Sequence, residues 1–185
     1  RRWVDSSQEA AKRMQQLISQ MLTLADVERP GTALSMRPVD LAAIATKAAL
    51  EMESIAYEKC VTLETALPAA CILHSNPDYL QRIVSSLLEN ALKYEPAGGR
   101  VQLTLTQDKR RVRLSVQNFG STIPEEDLSH VFDRFYRSDK SRKNESGSFG
   151  LGLAITKEMV ERLGGEISVS SSAEDGTVFQ VVLCR

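Results

Sequence analysis

The stretch Ser85-Ser86-Leu87-Leu88-Glu89-Asn90-Ala91-Leu92-Lys93-Tyr94 carries two patterns at once. At about 100° per residue, Leu87, Leu88 and Ala91 share one helix face with the preceding Leu80 and Val84. Ser86, Asn90 and Lys93 share another, with Tyr94 at its border. The apolar stripe calls for a core, which leaves the polar face open. An amide oxygen suits Mg2+ as a hard ligand, and a lysine supplies charge for phosphate. A merely solvated helix face carries the same residue types, so this stretch alone leaves both readings standing.

Working outward, Asn76 is a capping residue and Pro77 suits a first helical position, so one helix is expected from there to Tyr94. Upstream, residues 34–39 read as a short strand. Asp40 caps a helix with Leu41, Ile44, Ala45, Ala48, Met52 and Ile55 on one face, and residues 61–67 and 71–74 read as strands around Pro68. Downstream, residues 100–106 and 112–117 alternate as a hairpin turning at Asp108-Lys109-Arg110. A short helix follows Pro124, residues 150–163 read as a helix ended by Gly164-Gly165, and residues 166–170 and 177–183 form a last hairpin. Such mixing implies an α+β fold, a two-layer α/β sandwich with helices on one face of a mixed sheet.

Two glycine segments stand at turns. Asn118-Phe119-Gly120-Ser121-Thr122-Ile123-Pro124 leaves a strand, where a glycine lets backbone approach a flat ligand. Gly147-Ser148-Phe149-Gly150-Leu151-Gly152-Leu153 opens a helix, where backbone N–H groups and the helix dipole favour an anion. Neither segment has the GxGxxG spacing of a dinucleotide fold or the GxxxxGK[ST] of a P-loop. Residues 137–149 between them are polar and charged and read as a loop.

At the other end, residues 3–27 read as one helix with Ala10, Met14, Leu17, Met21 and Leu24 at alternating spacings of four and three, followed by the breaker Arg29-Pro30-Gly31. This heptad seam suits a dimerising stalk better than a helix packed on its own domain. The chain of 185 residues is 42% hydrophobic with a net charge of −1, enough apolar content for a core and no global attraction to nucleic acid or an anionic membrane. No apolar run reaches the roughly 18 residues of a membrane span. Cys60, Cys71 and Cys184 lack metal or disulfide spacing and read as reduced thiols of a cytosolic domain. The start on Arg1, with no signal pattern after it, reads as a piece of a longer parent.

Taken together and in order, these segments resemble the GHKL ATPase superfamily, and within it the sensor histidine kinases. The family's N box, N-x-x-x-N-A-x-K-[YFH], is matched by SLLENALKY at 86–94; its G1 box, D-x-G-x-G, by NFGST at 118–122. The F box is matched by Phe132-Asp133-Arg134-Phe135-Tyr136-Arg137, the G2 box by residues 147–153, and a last Gly-Thr pair by Gly176-Thr177. The resemblance covers roughly residues 34–185 and implies a Bergerat-type fold preceded by one long helix. Residues 1–30 resemble the second helix of the dimerisation and phosphotransfer hairpin, and residues 31–185 the catalytic ATP-binding domain.

The resemblance implies ATP and Mg2+ as cofactors. Asn90 would coordinate the metal, and Asn90 and Lys93 would serve catalysis, with Lys93 contacting phosphate and Tyr94 bordering the nucleotide. Asn118 would face the adenine amino group, Gly120 and Ile123 would shape the base pocket, and Thr177 would sit at the adenine end. Residues 137–149 would form a lid, with Arg137, Lys140, Arg142 and Lys143 toward phosphate. Gly147, Gly150, Leu151, Gly152 and Leu153 would form the G2 contact, with Gly150 and Gly152 presenting N–H groups. Phe132 and Phe135 would anchor the near end of the lid in the core, Phe135 next to the nucleotide. The implied partners are a phosphoacceptor-histidine helix, on the same hairpin or a dimer partner's, and a response regulator; the implied parent is a homodimeric membrane protein with this domain in the cytoplasm.

Three positions depart from the family pattern. Asn118 stands for an aspartate, a neutral acceptor for a charged one, and if flipped it could donate to a guanine carbonyl. Thr122 stands for a glycine, which would narrow or stiffen the base pocket, and Ser86 stands for the first N-box asparagine. Neither His74, before Ser75-Asn76-Pro77, nor His130, beside the F box, has the acceptor pattern of histidine, acidic residue and Thr-Pro. Autophosphorylation by this chain alone is expected to fail, and a nucleotide-binding regulatory module without phosphotransfer is the alternative. The F box and the seam helix argue against a topoisomerase, chaperone or anti-sigma relative.

Overall fold

The computed structural model describes residues 2–29, 31, 33–137 and 149–185, with the side chains of 2–7 and 9 left aside. The elements run α1 (Arg2–Glu28), β1 (Arg37–Asp40), α2 (Leu41–Glu58), β2 (Thr62–Ala66), β3 (Ile72–Ser75) and α3 (Pro77–Tyr94). They continue with β4 (Arg100–Gln107), β5 (Arg111–Asn118), α4 (Glu125–Leu128), α5 (Gly152–Arg162), β6 (Glu166–Ser172) and β7 (Gly176–Cys184).

One sheet has the order β2-β4-β5-β7-β6, with β2 parallel to β4 and the other pairs antiparallel; β1 and β3 form a separate antiparallel pair. Strict alternation decides which face is covered. Val101, Leu103 and Leu105 of β4, Val112, Leu114 and Val116 of β5, and Phe179, Val181 and Leu183 of β7 are buried, while Gln102, Thr104, Arg113, Ser115 and Gln180 point the other way. Onto this face α3 sets Leu80, Ile83, Val84, Leu87, Leu88, Ala91 and Leu92, α2 its alanines, and α5 Ile155, Met159 and Val160. Helices on one side of a mixed sheet are the α+β sandwich that the sequence led us to expect.

The caps hold the helices in register with the strands. The Asp40 carboxylate accepts from the Ala42 N–H at 3.0 Å and, across the β1–β3 pair, from the Cys71 N–H at 2.9 Å. Asn76 accepts from the Tyr79 N–H at 2.9 Å, with Pro77 in the first turn. At the far end of α3, the Lys59 ammonium donates to the carbonyls of Leu92 (2.8 Å) and Lys93 (3.3 Å).

Two elements start two or more residues later than expected. The first strand lies at Arg37–Asp40 instead of 34–39, because pairing with β3 sets its extent. The helix expected from residue 150 begins at Gly152: Gly150 has φ +72°, a left-handed conformation that no right-handed helix contains.

The last turns of α1 pack on the domain itself. Leu24 and Val27 are buried and Leu17 lies half-buried against the core, whereas Met14, Ile18, Met21 and Leu22 remain exposed. The Arg162 guanidinium of α5 donates to the Val27 carbonyl, and Arg134 pairs with Glu28. Part of the seam therefore serves the domain's own core and part stays uncovered.

Candidate nucleotide site

The open face of α3 lines a cleft of about 180 Å3 with Ser86, Glu89, Asn90, Lys93 and Tyr94. These positions recur at helical spacing, and because the opposite stripe is committed to the core, the five side chains have only this direction to take. The facing wall comes from Val131, Tyr136, Arg137, Phe149, Gly150, Gly152 and Leu153, with Gln20 of α1 closing one side.

The cleft is built for anions. Desolvation lowers the pKa of Lys93, and the neighbouring Arg137 charge lowers it further, since two cations held together each penalise the other. The Lys93 ammonium stands 5.0 Å from the Tyr94 ring centroid. Burial raises the pKa of Glu89. Among the described residues no cluster of three or more His, Cys, Asp and Glu could hold a metal. The open face of α3 brings one amide, Asn90, and one carboxylate, Glu89, into the cleft, oxygen donors of the kind that suit a hard cation such as Mg2+.

Gly150 is irreplaceable by geometry. A Cβ there would lie 2.5 Å from the Tyr136 carbonyl oxygen and 2.7 Å from the Phe135 carbonyl carbon, and its carbonyl accepts from the Phe135 N–H at 2.9 Å. The two ends of the segment between residues 137 and 149 are thereby held together. Gly152 leaves its N–H at the start of α5 with only the Ser86 hydroxyl near a would-be Cβ. Leu151 is wholly buried and belongs to the core, not to the cleft wall. Gly147, with Lys140, Arg142 and Lys143, lies outside the described residues.

A second cluster sits at the ends of β5 and β7. Asn118 is 2% exposed and pairs with Thr177, equally buried. The Asn118 amide nitrogen donates to the Ser121 hydroxyl at 2.9 Å and to its carbonyl at 3.4 Å. The Thr177 hydroxyl donates to the Ser121 carbonyl, and the Ile123 N–H donates to the Ser171 hydroxyl, each at 2.9 Å. Gly120 is also held: its N–H donates at 2.9 Å to Glu95, whose other oxygen accepts from the Arg100 N–H at 3.0 Å. A Cβ at residue 120 would stand 2.6 Å from Pro96.

The cleft thus gathers Asn90, Lys93, Tyr94, Arg137, Gly150, Gly152 and Leu153, while Asn118, Gly120, Ile123 and Thr177 form the adjoining cluster, joined to α3 through Glu95. One expectation fails. Phe135 does not anchor in the core: its φ of +62° turns the side chain outward, and it is 58% exposed. Phe132 takes the core seat instead, edge-on to Phe179 with centroids 6.1 Å apart. Thr122 is exposed and outside the left-handed region, so its backbone carries no strain that a glycine would relieve. Ser86 bonds the Thr156 hydroxyl at 2.9 Å and so ties α3 to α5. Sequence reasoning missed Glu95, Ser171 and Gln20, whose roles depend on partners distant along the chain.

Comparison with known proteins agrees with this architecture. Residues 75–185 match the family described as Histidine kinase-, DNA gyrase B-, and HSP90-like ATPase. The chain is 32% identical over 173 residues to the sensor histidine kinase RppB of Synechocystis sp., covering 93% of this chain and 38% of that protein. It is 34% identical over 178 residues to the sensor histidine kinase CusS of Escherichia coli O157:H7, covering 96% and 36%. Full-length ShkA, crystallised with AMPPNP, superposes with a TM-score of 0.83 at 26% identity over 98% of this chain and 38% of that one. The chain therefore spans well under half the length of these relatives. On the strength of the family match and these relatives, the chain belongs to the histidine kinase-, DNA gyrase B- and HSP90-like ATPases, on the sensor histidine kinase branch.

Proposed function

We propose that this chain binds Mg·ATP and is the catalytic half of a sensor histidine kinase, passing the γ-phosphate to a histidine on a phosphotransfer helix. The observation that carries this reading is the cleft in which Asn90 and Lys93 of α3 meet Gly150 and Gly152 at the turn into α5. Phosphoryl transfer asks the protein mainly to position phosphates and to stabilise their charge. Asn90 would hold Mg2+, which neutralises phosphate charge when bound. Lys93 and Arg137 meet the phosphates, the Gly152 N–H at the start of α5 adds a dipole, and Tyr94 borders the nucleotide. Asn118, Gly120, Ile123 and Thr177 take the base. Phosphate entering beside Lys93 relieves the repulsion from Arg137 and restores the lysine's basicity.

The nucleophile comes from outside the cleft, since neither His74 nor His130 lies in it. Residues 1–30 are assigned to the second helix of the parent's dimerising hairpin, in keeping with the uncovered Met14, Ile18 and Met21. A response regulator would receive the phosphate; the ThkA–TrrA complex, a histidine kinase with its response regulator, shares this fold with a TM-score of 0.79 at 18% identity. A cytoplasmic position in a membrane-anchored homodimer follows from the same reading. The neutral Asn118 favours a second reading, a nucleotide-sensing module without transfer. The deciding experiment supplies labelled ATP and a hairpin fragment bearing the parent's histidine. Label on the histidine supports the kinase; tight Mg·ATP binding with no label supports the sensor; no binding defeats both.

A further inference from the structure

The direction of the hydrogen bonds around Asn118 settles which way its amide points. The Thr177 hydroxyl has one proton and gives it to the Ser121 carbonyl at 2.9 Å. Its contact with Ser171, also 2.9 Å, must therefore be donated by Ser171, which in turn accepts from the Ile123 N–H. The chain of donors ends on the Ser121 carbonyl, which has no proton to give. The Asn118 side chain lies 3.4 Å from that carbonyl and 2.9 Å from the Ser121 hydroxyl. Only its NH2 group can face a carbonyl; a flipped amide would set oxygen against oxygen. The amide oxygen is consequently turned away from Ser121, and among the described residues no hydrogen bond reaches it.

We propose that Ser121 is a positioning residue for base selection: by holding the Asn118 NH2, it presents the amide oxygen as a fixed acceptor, so that the pocket reads a purine 6-amino group and rejects a 6-oxo group. A neutral amide can serve either as donor or as acceptor, which makes it a poor discriminator when free to turn. Held by the serine and by the Ser171–Thr177 chain behind it, it behaves as an acceptor only. Charge is replaced by orientation. A 6-oxo purine meets oxygen against oxygen and leaves a buried acceptor unpaired, the kind of mismatch that discriminates strongly. The inference rests on the nucleotide reading of this site.

The test is calorimetric binding to the whole chain of Mg·ATP and Mg·ITP, which differ at the purine 6-substituent and, with it, in whether N1 carries a proton. The wild-type chain is expected to prefer ATP by about tenfold or more, the worth of one well-placed hydrogen bond against a repulsive contact. Ser121→Ala is expected to shrink that preference by roughly three- to tenfold, chiefly by tightening ITP, because the amide loses its 2.9 Å partner and keeps only the 3.4 Å contact with the residue 121 carbonyl. Ser121→Thr, which keeps the hydroxyl, should restore it. Asn90→Asp serves as the contrast, weakening both nucleotides alike. An unchanged ATP:ITP ratio in Ser121→Ala, or a wild-type chain that binds both equally, overturns the role of Ser121 while leaving nucleotide binding intact. Failure of the wild-type chain to bind either one overturns the nucleotide reading itself.

Discussion

The cleft and the adjoining Asn118 cluster, to which the proposed function gives the phosphates and the base respectively, are built by different means. The phosphate end is a helix face set against a glycine-bounded helix start: Ser86, Glu89, Asn90, Lys93 and Tyr94 on α3, with Gly150 and Gly152 at α5. The base end is a net of hydrogen bonds among Glu95, Asn118, Gly120, Ser121, Ser171 and Thr177, drawn from a helix cap, two strand ends and a loop. The first concentrates charge on a rigid surface, which under the proposed function would serve any nucleoside triphosphate. The second has no cation in that net, and what it offers is orientation. Affinity and selectivity should therefore be separable by mutation.

Asn90→Asp probes the phosphate end and should have the largest effect. It replaces the amide with a carboxylate that can still ligate Mg2+ but faces the phosphates as a like charge, so a loss of about tenfold or more in affinity is expected from repulsion. Calorimetry should show ATP and ITP weakened equally; an altered ratio would break the separation of the two ends. Gly150→Ala comes next, because a methyl group at φ +72° and 2.5 Å from the Tyr136 carbonyl must displace backbone. A stability loss of about 1–2 kcal/mol from backbone handedness alone is expected in denaturant unfolding, with weaker ATP binding of either base. Glu95→Gln keeps one acceptor but turns an NH2 toward the Gly120 or Arg100 N–H, a cost of about 1–3 kcal/mol in a site 5% exposed. The unfolding midpoint reports that cost, and the nucleotide affinity should change less than the ATP:ITP ratio. Lys93→Arg should have the smallest effect at neutral pH. Because the lysine pKa is lowered, ATP affinity should begin to fall on the alkaline side at a lower pH than an exposed lysine would allow; arginine should push that fall upward. Identical alkaline limbs would remove Lys93 from the phosphate contacts.

The same division decides how much could be read from the sequence. Asn90 and Lys93 were legible because a helix puts residues three and four apart on one face, and the apolar stripe fixes which face is open. Alternation in β4, β5 and β7 gave the sheet, and Asp40 and Asn76 announced their helices as caps. Glu95 was not legible: its partners at 100 and 120 are joined to it by the packing of a cap against a strand end, which no local pattern encodes. Ser171, from the last hairpin, reaches Ile123 for the same reason. Phe135 misled because its type suggests the core, whereas its backbone conformation, imposed by the bond to Gly150, aims it at solvent. The family boxes identified positions at both ends without revealing that Ser121 decides how Asn118 faces.

A buried asparagine in place of a carboxylate also simplifies the traffic of protons. An amide neither gains nor loses a proton over the physiological range, so base recognition at Asn118 leaves the proton count of the complex unchanged. Any proton exchanged with buffer on binding must then come from the phosphate end. There two groups have shifted pKa values, Lys93 lowered and Glu89 raised, and an anion beside either favours its protonated form. Heats of ATP binding in buffers of different ionisation enthalpy would thus report on the titratable groups of the cleft and on the phosphates, and the same experiment with ITP should give the same proton number.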